Sequence, residues 1–141
     1  MPSDTVLPHL YYRDADAAAR WLANAFGLEE VYRLPEDDGR IHIANLRLGA
    51  ANIMIRYERD ERLSPISAGG NTQSVMVIVD DVTAHHSRAE AAGADITSPP
   101  EDMAYGVREY SVKDLEGHEW TFVEQRNPVD PAELGGIVHG G

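Results

Sequence analysis

The chain is predicted to fold as an α+β protein made of two tandem βαβββ modules, and three observations carry that prediction. A short apolar run, a capped Ala-rich helical stretch and three further apolar runs occur in that order twice. Landmarks recur at a nearly constant offset: Asp14 and Gly27 bracket the first helical stretch and are answered by Asp80 and Gly93 66 residues on, while Arg40 and Gly49 are answered by Arg108 and Gly117 68 residues on. Such an offset marks a duplication with one small insertion. Finally, 141 residues with 43% hydrophobic content suffice for one well-buried domain and not for two. The repeats are therefore halves of a single domain, and a cleft between them is the natural place for a ligand.

Residues 6–12 are apolar, Tyr-rich and of strand length. Asp14 then caps a helix in which Ala17, Ala18, Trp21, Leu22, Ala25 and Phe26 recur at helical spacing, and Gly27 ends it. Residues 29–34 read as a strand, 35–39 as a turn, 41–48 as a second strand, 49–50 as a tight turn and 52–57 as a third strand, which completes a first module over 1–57. The polar, aperiodic stretch 58–72 reads as a linker. The second module, 73–126, repeats the order with a strand at 74–79, a helix at 81–92 ended by Gly93, a short strand beginning at 95–97, and strands at 107–113 and 118–124. Pro99 and Pro100 interrupt what would be a longer strand, so 98–106 is predicted to be a loop across the mouth of the cleft. The tail 127–141, with Pro128, Pro131 and four glycines, has no hydrophobic pattern and is either disordered or draped on a partner.

Composition narrows the function classes. A formal net charge of −12 repels phosphate backbones and anionic lipid surfaces, which argues against nucleic acid and membrane as partners. The absence of cysteine excludes disulfides, thiolate metal sites and cysteine nucleophiles, leaving His, Asp and Glu as metal ligands. No basic-plus-apolar leader opens the chain, and no apolar run approaches the roughly 18 to 20 residues that span a bilayer, so a soluble cytoplasmic protein is expected. The sequence holds no Ser-His-Asp arrangement at a recognisable spacing and no phosphate loop, since Gly69-Gly70 and Gly140-Gly141 open no strand-to-helix turn.

The run from Tyr105-Gly106-Val107-Arg108 through Asp114-Leu115-Glu116-Gly117-His118-Glu119-Trp120 resembles the C-terminal signature of the vicinal oxygen chelate superfamily, which includes glyoxalase I, extradiol dioxygenases, fosfomycin-resistance enzymes and bleomycin-resistance proteins. Ala25-Phe26-Gly27 followed by Glu29-Glu30 resembles its N-terminal counterpart. Leu115 stands where the family usually has proline. The resemblance covers about residues 5–125. It implies a curled-sheet cup with helices outside, within a homodimer.

Given that cup, strand alternation sorts the side chains. The apolar series Tyr110 and Val112, Trp120 and Phe122, Val75 and Val77, Ile53 and Ile55 suits the helix side, and the opposite series lines the cup. In metal-dependent members four ligands come from the first and last strands of each module. The resemblance places these on Leu7, Met54, Ser74 and Thr121. Leu and Met offer no hard donor and Ser and Thr only weak ones, so the usual metal site is expected to be absent. A relocated divalent ion would need His9, Glu109 and Glu119 to converge. Otherwise His9 is either a hydrogen-bonding residue of the cup wall or a structural histidine satisfied by backbone. Of the other histidines, His42 falls on the helix side beside Tyr110 in the repeat, His85 and His86 lie on an exposed-looking helix and do not share a face, His118 belongs to the turn motif and His139 to the tail.

The predicted ligand-binding residues are His9, Tyr11, Met54, Arg56, Ser74, Met76, Tyr105, Glu109, Ser111, Glu119 and Thr121, around a lining of Leu7, Ile43 and Val123. Such a mostly apolar wall with few polar groups suits a small organic molecule. Arg47 and Arg56 either grip a carboxylate or phosphate or pair with surface acids, while Glu109 and Glu119 favour a cation. The leading expectation is a binder similar to the bleomycin-resistance proteins, without metal. The alternative is a metal-dependent lyase, isomerase or dioxygenase of the same superfamily with a relocated site.

Overall fold

A computed structural model describes residues 6–140. Its elements run β1 (His9–Tyr12), α1 (Ala15–Phe26), β2 (Glu29–Pro35), β3 (Ile41–Leu48), β4 (Ala51–Tyr57), α2 (Pro65–Ala68), β5 (Ser74–Ile78), α3 (Val82–Ala91), β6 (Asp95–Asp102), β7 (Val107–Lys113) and β8 (Glu119–Gln125), followed by a 3-10 turn at Pro131–Leu134. Two mixed sheets result, ordered β1-β4-β3-β2 and β5-β8-β7-β6, curled but not closed. Each pairs its first and last strands in parallel, through His9↔Met54 and Ser74↔Glu119. Among the described residues no helix is long and apolar enough to cross a membrane.

The duplication is real, and the structural register corrects its arithmetic. The helix caps are Asp14 and Asp81, whose side chains accept from Ala17 N and Ala84 N; Asp81, and not Asp80, is the counterpart of Asp14, 67 residues on (81−14). Ala44 pairs with Ile55 as Tyr110 pairs with Phe122, so β3 and β7 are offset by 66 (110−44) and β4 and β8 by 67 (122−55). The extra residue sits in the β7–β8 turn: five residues separate Lys113 from Glu119, where four separate their counterparts Arg47 and Asn52. Arg40 and Arg108 are not equivalent.

Each helix packs on one face of its own sheet, and the two helices touch. Phe26 at the end of α1 is fully buried, with its ring 4.9 Å from Phe122 and 5.3 Å from Trp120. A buried phenylalanine is worth about 1.5–3 kcal/mol, here shared between modules. Arg88 of α3 donates to the carbonyl oxygens of Ala23 and Asn24 and so caps the C-terminus of α1.

His85 does not lie on an exposed surface. It stacks on Phe122 at 3.9 Å between ring centres, with Nε2 2.9 Å from Phe26 O and Nδ1 on the Tyr110 hydroxyl. A carbonyl only accepts, so Nε2 carries the proton and Nδ1 accepts from Tyr110. The helix reads as exposed because the rings that bury His85 lie on α1, β7 and β8. His42 is the extra residue of a bulge: Leu34 pairs with Ile43 and Pro35 with Ile41. Ile41 thereby takes the core position, and His42 turns outward to Glu36 Oε1 at 2.8 Å. The counterpart of Tyr110 is Ala44.

One loop expectation is also corrected, and the linker has structure of its own. β6 continues through Pro99 and Pro100 to Asp102 because it is an edge strand, where a missing N–H faces no neighbour, and its register shifts between Ser98 and Glu101. The 58–72 segment is structured: α2 lies within it, Ser64 N donates to Glu58 Oε2 at 2.8 Å, and Arg13 Nε donates to Ser67 Oγ at 2.6 Å. The tail begins tied down, with Arg126 N and Asn127 N both donating to Gly106 O. A Cβ at Gly106, where φ is +87°, would stand 1.7 Å from Asn127 O.

The modules are clasped by the β7–β8 turn. Buried Asp114 accepts from Tyr12 Oη at 2.6 Å, Trp120 Nε1 at 3.1 Å, and Glu116 N and His118 N, both at 3.0 Å. Glu116 accepts from Arg13 N at 2.6 Å and Asp14 N at 3.0 Å, just ahead of α1. His118 Nε2 lies 2.8 Å from Tyr11 O.

Truncating Asp114 leaves several donors unmatched, each costing about 1–3 kcal/mol when buried. Asp114→Ala is therefore expected to lower the unfolding free energy by about 3 kcal/mol or more, read as an earlier urea midpoint at unchanged slope. Burial holds the His85 pKa below its ordinary 6.5. The unfolded chain then takes up the proton first, so stability falls as pH drops below 6.5 toward the folded-state value. His85→Gln is expected to remove that component, seen as a shallower loss of stability between about pH 7 and 5 than in the wild type.

Candidate functional site

The predicted site residues fall into two groups, one on each sheet. On the first, β1 and β4 run in parallel and set His9 beside Met54 and Tyr11 beside Arg56. His9, Tyr11 and Arg56 line a cavity of about 410 Å³ with Arg59, Asp60 and Arg62. His9 and Tyr11 also border a neighbouring hollow of about 220 Å³, with Leu63, Pro65 and His118. Partial burial, and then the charge of Arg56, hold the His9 pKa below its ordinary value, so the ring is neutral at pH 7 and offers one donor and one acceptor. Met54, on the same face as His9, is buried, its sulfur 3.2 Å from Asn45 Nδ2.

On the second sheet, Ser74 pairs with Glu119 and Met76 with Thr121. Ser111 pairs with Thr121, and their hydroxyls are 2.9 Å apart. Met76 and Ile78, on the same face of β5, are 64% and 59% exposed. Met76 lines a groove of about 580 Å³ with Leu48, Ala51 and Ile78. Glu109 lies further along β7 and Tyr105 in the turn ahead of that strand, and the two hydrogen-bond to each other; that bond, foremost, raises the Tyr105 pKa. The cavity holding His9 and the groove holding Met76 share no residue.

Three lining residues were missed in the sequence: Arg59, Asp60 and Arg62, assigned to a linker. Their signal was the charge run Arg56-Tyr57-Glu58-Arg59-Asp60-Glu61-Arg62, which reads equally as a solvated loop. Asn45, 1% exposed, pairs with Met54 and sets a buried amide into this sheet.

At the four positions that the resemblance assigns to a divalent ion, the groups present do not fit one. Leu7 and Ser74 are 67 apart, as are Met54 and Thr121 (74−7, 121−54), the same offset that relates β4 to β8, so the four are structural equivalents. Leu7 has no donor atom, the Met54 sulfur is soft and engaged by Asn45, and the hydroxyl of Thr121 is engaged by Ser111. Hard divalent ions need several oxygen or nitrogen donors at about 2.0–2.6 Å. His9 stands on one sheet and Glu109 and Glu119 on the other, and among the described residues no three His, Asp or Glu side chains form a group able to hold a metal.

Comparison with known proteins places this geometry in a family. Residues 4–122 match the model of the Glyoxalase/Bleomycin resistance protein/Dioxygenase superfamily, and the chain belongs to it. It is 31% identical over 132 residues to an uncharacterized protein of Mycobacterium bovis, covering 90% of this chain and 87% of that protein. Among solved structures, TioX from Micromonospora sp. ML1 is similar at 36% identity with a TM-score of 0.74, over 87% of this chain and 99% of that one. The fosfomycin resistance protein FosX of Listeria monocytogenes, at 17% identity and a TM-score of 0.63 over 88% of this chain and 94% of its own, shares the fold.

Proposed function

We propose that the protein is a small-molecule binder of this superfamily that holds an organic ligand on the concave faces of its sheets without the family's divalent ion, and that two copies complete the cup. One observation carries the reading: two equivalent pairs of positions offer Leu7, just ahead of β1, with Ser74 on β5, and Met54 on β4 with Thr121 on β8, where a metal would need hard donors. What remains on those faces is apolar and aromatic surface with a few orienting polar groups, the usual make-up of a ligand pocket. Dimerisation is supported by the separation of the two halves of the wall within one chain and by the exposed Met76 and Ile78 beside the open groove.

Protein purified without added metal is expected to carry far less than one equivalent of Ni, Zn, Mn or Fe, and chelator is expected to leave its melting point unchanged. A thermal-shift screen of glycopeptide and aromatic compounds should then find ligands that raise that melting point, by about 2.7 kcal/mol of added stability at a hundredfold excess over Kd. A stoichiometric ion whose removal abolishes the ligand response overturns the metal-free reading. Light scattering is expected to report a dimer, and Ile78→Glu to yield monomers with weakened ligand response; a monomeric wild type that still binds ligand removes the second copy from the site.

A further inference from the structure

Four of the eleven arginines form ion pairs among the described residues. Arg33 pairs with Asp16 at 3.0 Å and Glu30 at 2.7 Å, Arg40 with Asp38 at 2.7 Å, and Arg126 with Glu124 at 2.7 Å. Arg108 faces Asp102 at 3.5 Å. By contrast Arg56, Arg59 and Arg62 form no ion pair among the described residues, in a chain with 24 Asp and Glu. They are three of the seven arginines without an ion pair among the described residues, and what sets them apart is that they surround one hollow. Together with His9 and Tyr11 they line the cavity of about 410 Å³, and its single acid is Asp60. Arg56 Nε is buried with no hydrogen-bond partner, and a buried donor left unmatched is costly unless something fills its place.

We infer that this cavity is an oxyanion site, which takes the carboxylate or phosphate group of the molecule held in the cup, with Arg56 as the inner contact and Arg59 and Arg62 at the mouth. The inference rests on the binding reading above and adds the ligand's charge to it. Guanidinium is suited to the task because its planar donor fork matches two oxygens of either group. His9 and Tyr11 add neutral hydrogen-bonding groups on the β1 side. The net charge of −12 does not forbid an anion here: charges more than a Debye length away, about 8 Å at physiological salt, are largely screened.

Three probes with one phenyl ring and different head groups test the inference on the full-length protein at physiological salt: phenyl phosphate, benzoate and benzyl alcohol. The His9 ring resonances report binding locally. Both anions are expected to move them and to bind at least about tenfold more tightly than the alcohol, which is about 1.4 kcal/mol. A preference between the anions identifies the natural head group as phosphate or carboxylate. Arg56→Gln should remove the anion preference. Because Arg56 is partly buried, the double variant R59Q/R62Q, at exposed positions, is the second arm and should weaken both anions about fivefold or more while sparing the alcohol. Equal affinity for all three probes, or anions that leave His9 unmoved while other compounds in the thermal-shift screen still bind, overturns the oxyanion site and leaves the binder standing. No response to any compound overturns both.

Discussion

A carboxylate taken out of water survives only when its lone pairs are matched, and Asp114 meets that condition with groups drawn from both halves of the chain. Its partners are a phenol from β1, an indole from β8 and two amides of its own turn. Burial is the largest influence on this carboxyl and raises its pKa, while the bond from Tyr12 is the foremost opposing effect. The Tyr12 hydroxyl is in turn driven well above its ordinary pKa, first by burial and then by the carboxylate itself. Each group constrains the other, so the first strand of one module has one position against the last hairpin of the other. Glu116 extends the constraint to the entry of α1, and Gly117, with φ at +88° and Pro65 3.4 Å from where a Cβ would lie, brings the 58–72 segment against the same turn. Leu115, in the place of the family's proline, is half-exposed and takes no part.

This clasp exists once, although the fold is built from a repeat. By symmetry the β3–β4 turn should hold the entry of α3, but Gly49 and Ala50 carry no side-chain acceptor, and Val82 N is instead matched by Glu124 Oε1 at 3.0 Å. Where the polar clasp is missing, the groove beside Met76 and Ile78 opens. The asymmetry leaves the modules joined through helices and one turn, with their concave faces free.

Much of this architecture was legible because it rests on short-range rules. Asp at the helix starts, Gly27 and Gly93 past their ends and the alternation in β7 and β8 are local signals, and the helix-facing series Tyr110, Val112, Trp120 and Phe122 is buried as alternation requires. The failures are where register or a neighbouring element decides. A single bulge exchanges Ile41 for His42 and inverts the sorting of that strand end. His85 looks exposed on a polar helix because the surface that buries it, Phe26 and Phe122, belongs to other elements. Pro99 and Pro100 read as a break, since sequence does not reveal which strand lies at an edge. Arg59 and Arg62 read as a solvated linker because their relation to His9 depends on where that linker is tied down.

That tie leads back to the clasp. Ile66 N donates to Glu116 O at 3.1 Å and Asn71 Nδ2 to Gly117 O at 3.0 Å. Further up, Arg59 and Arg62 exchange backbone hydrogen bonds, at 3.1 and 2.8 Å, across a turn in which Asp60 holds a positive φ of 53°. A non-glycine residue in that region costs energy and persists only where its surroundings over-determine it. Here the surroundings are β4 on one side and the anchored α2 on the other. The basic wall of the cavity is therefore held by the same turn that joins the modules, and His118, whose ring binds Tyr11 O, sits at the border of both. Domain assembly and the shape of the candidate site are one mechanical problem in this chain, which is why the residues that settle it lie in a hairpin on the far module from His9.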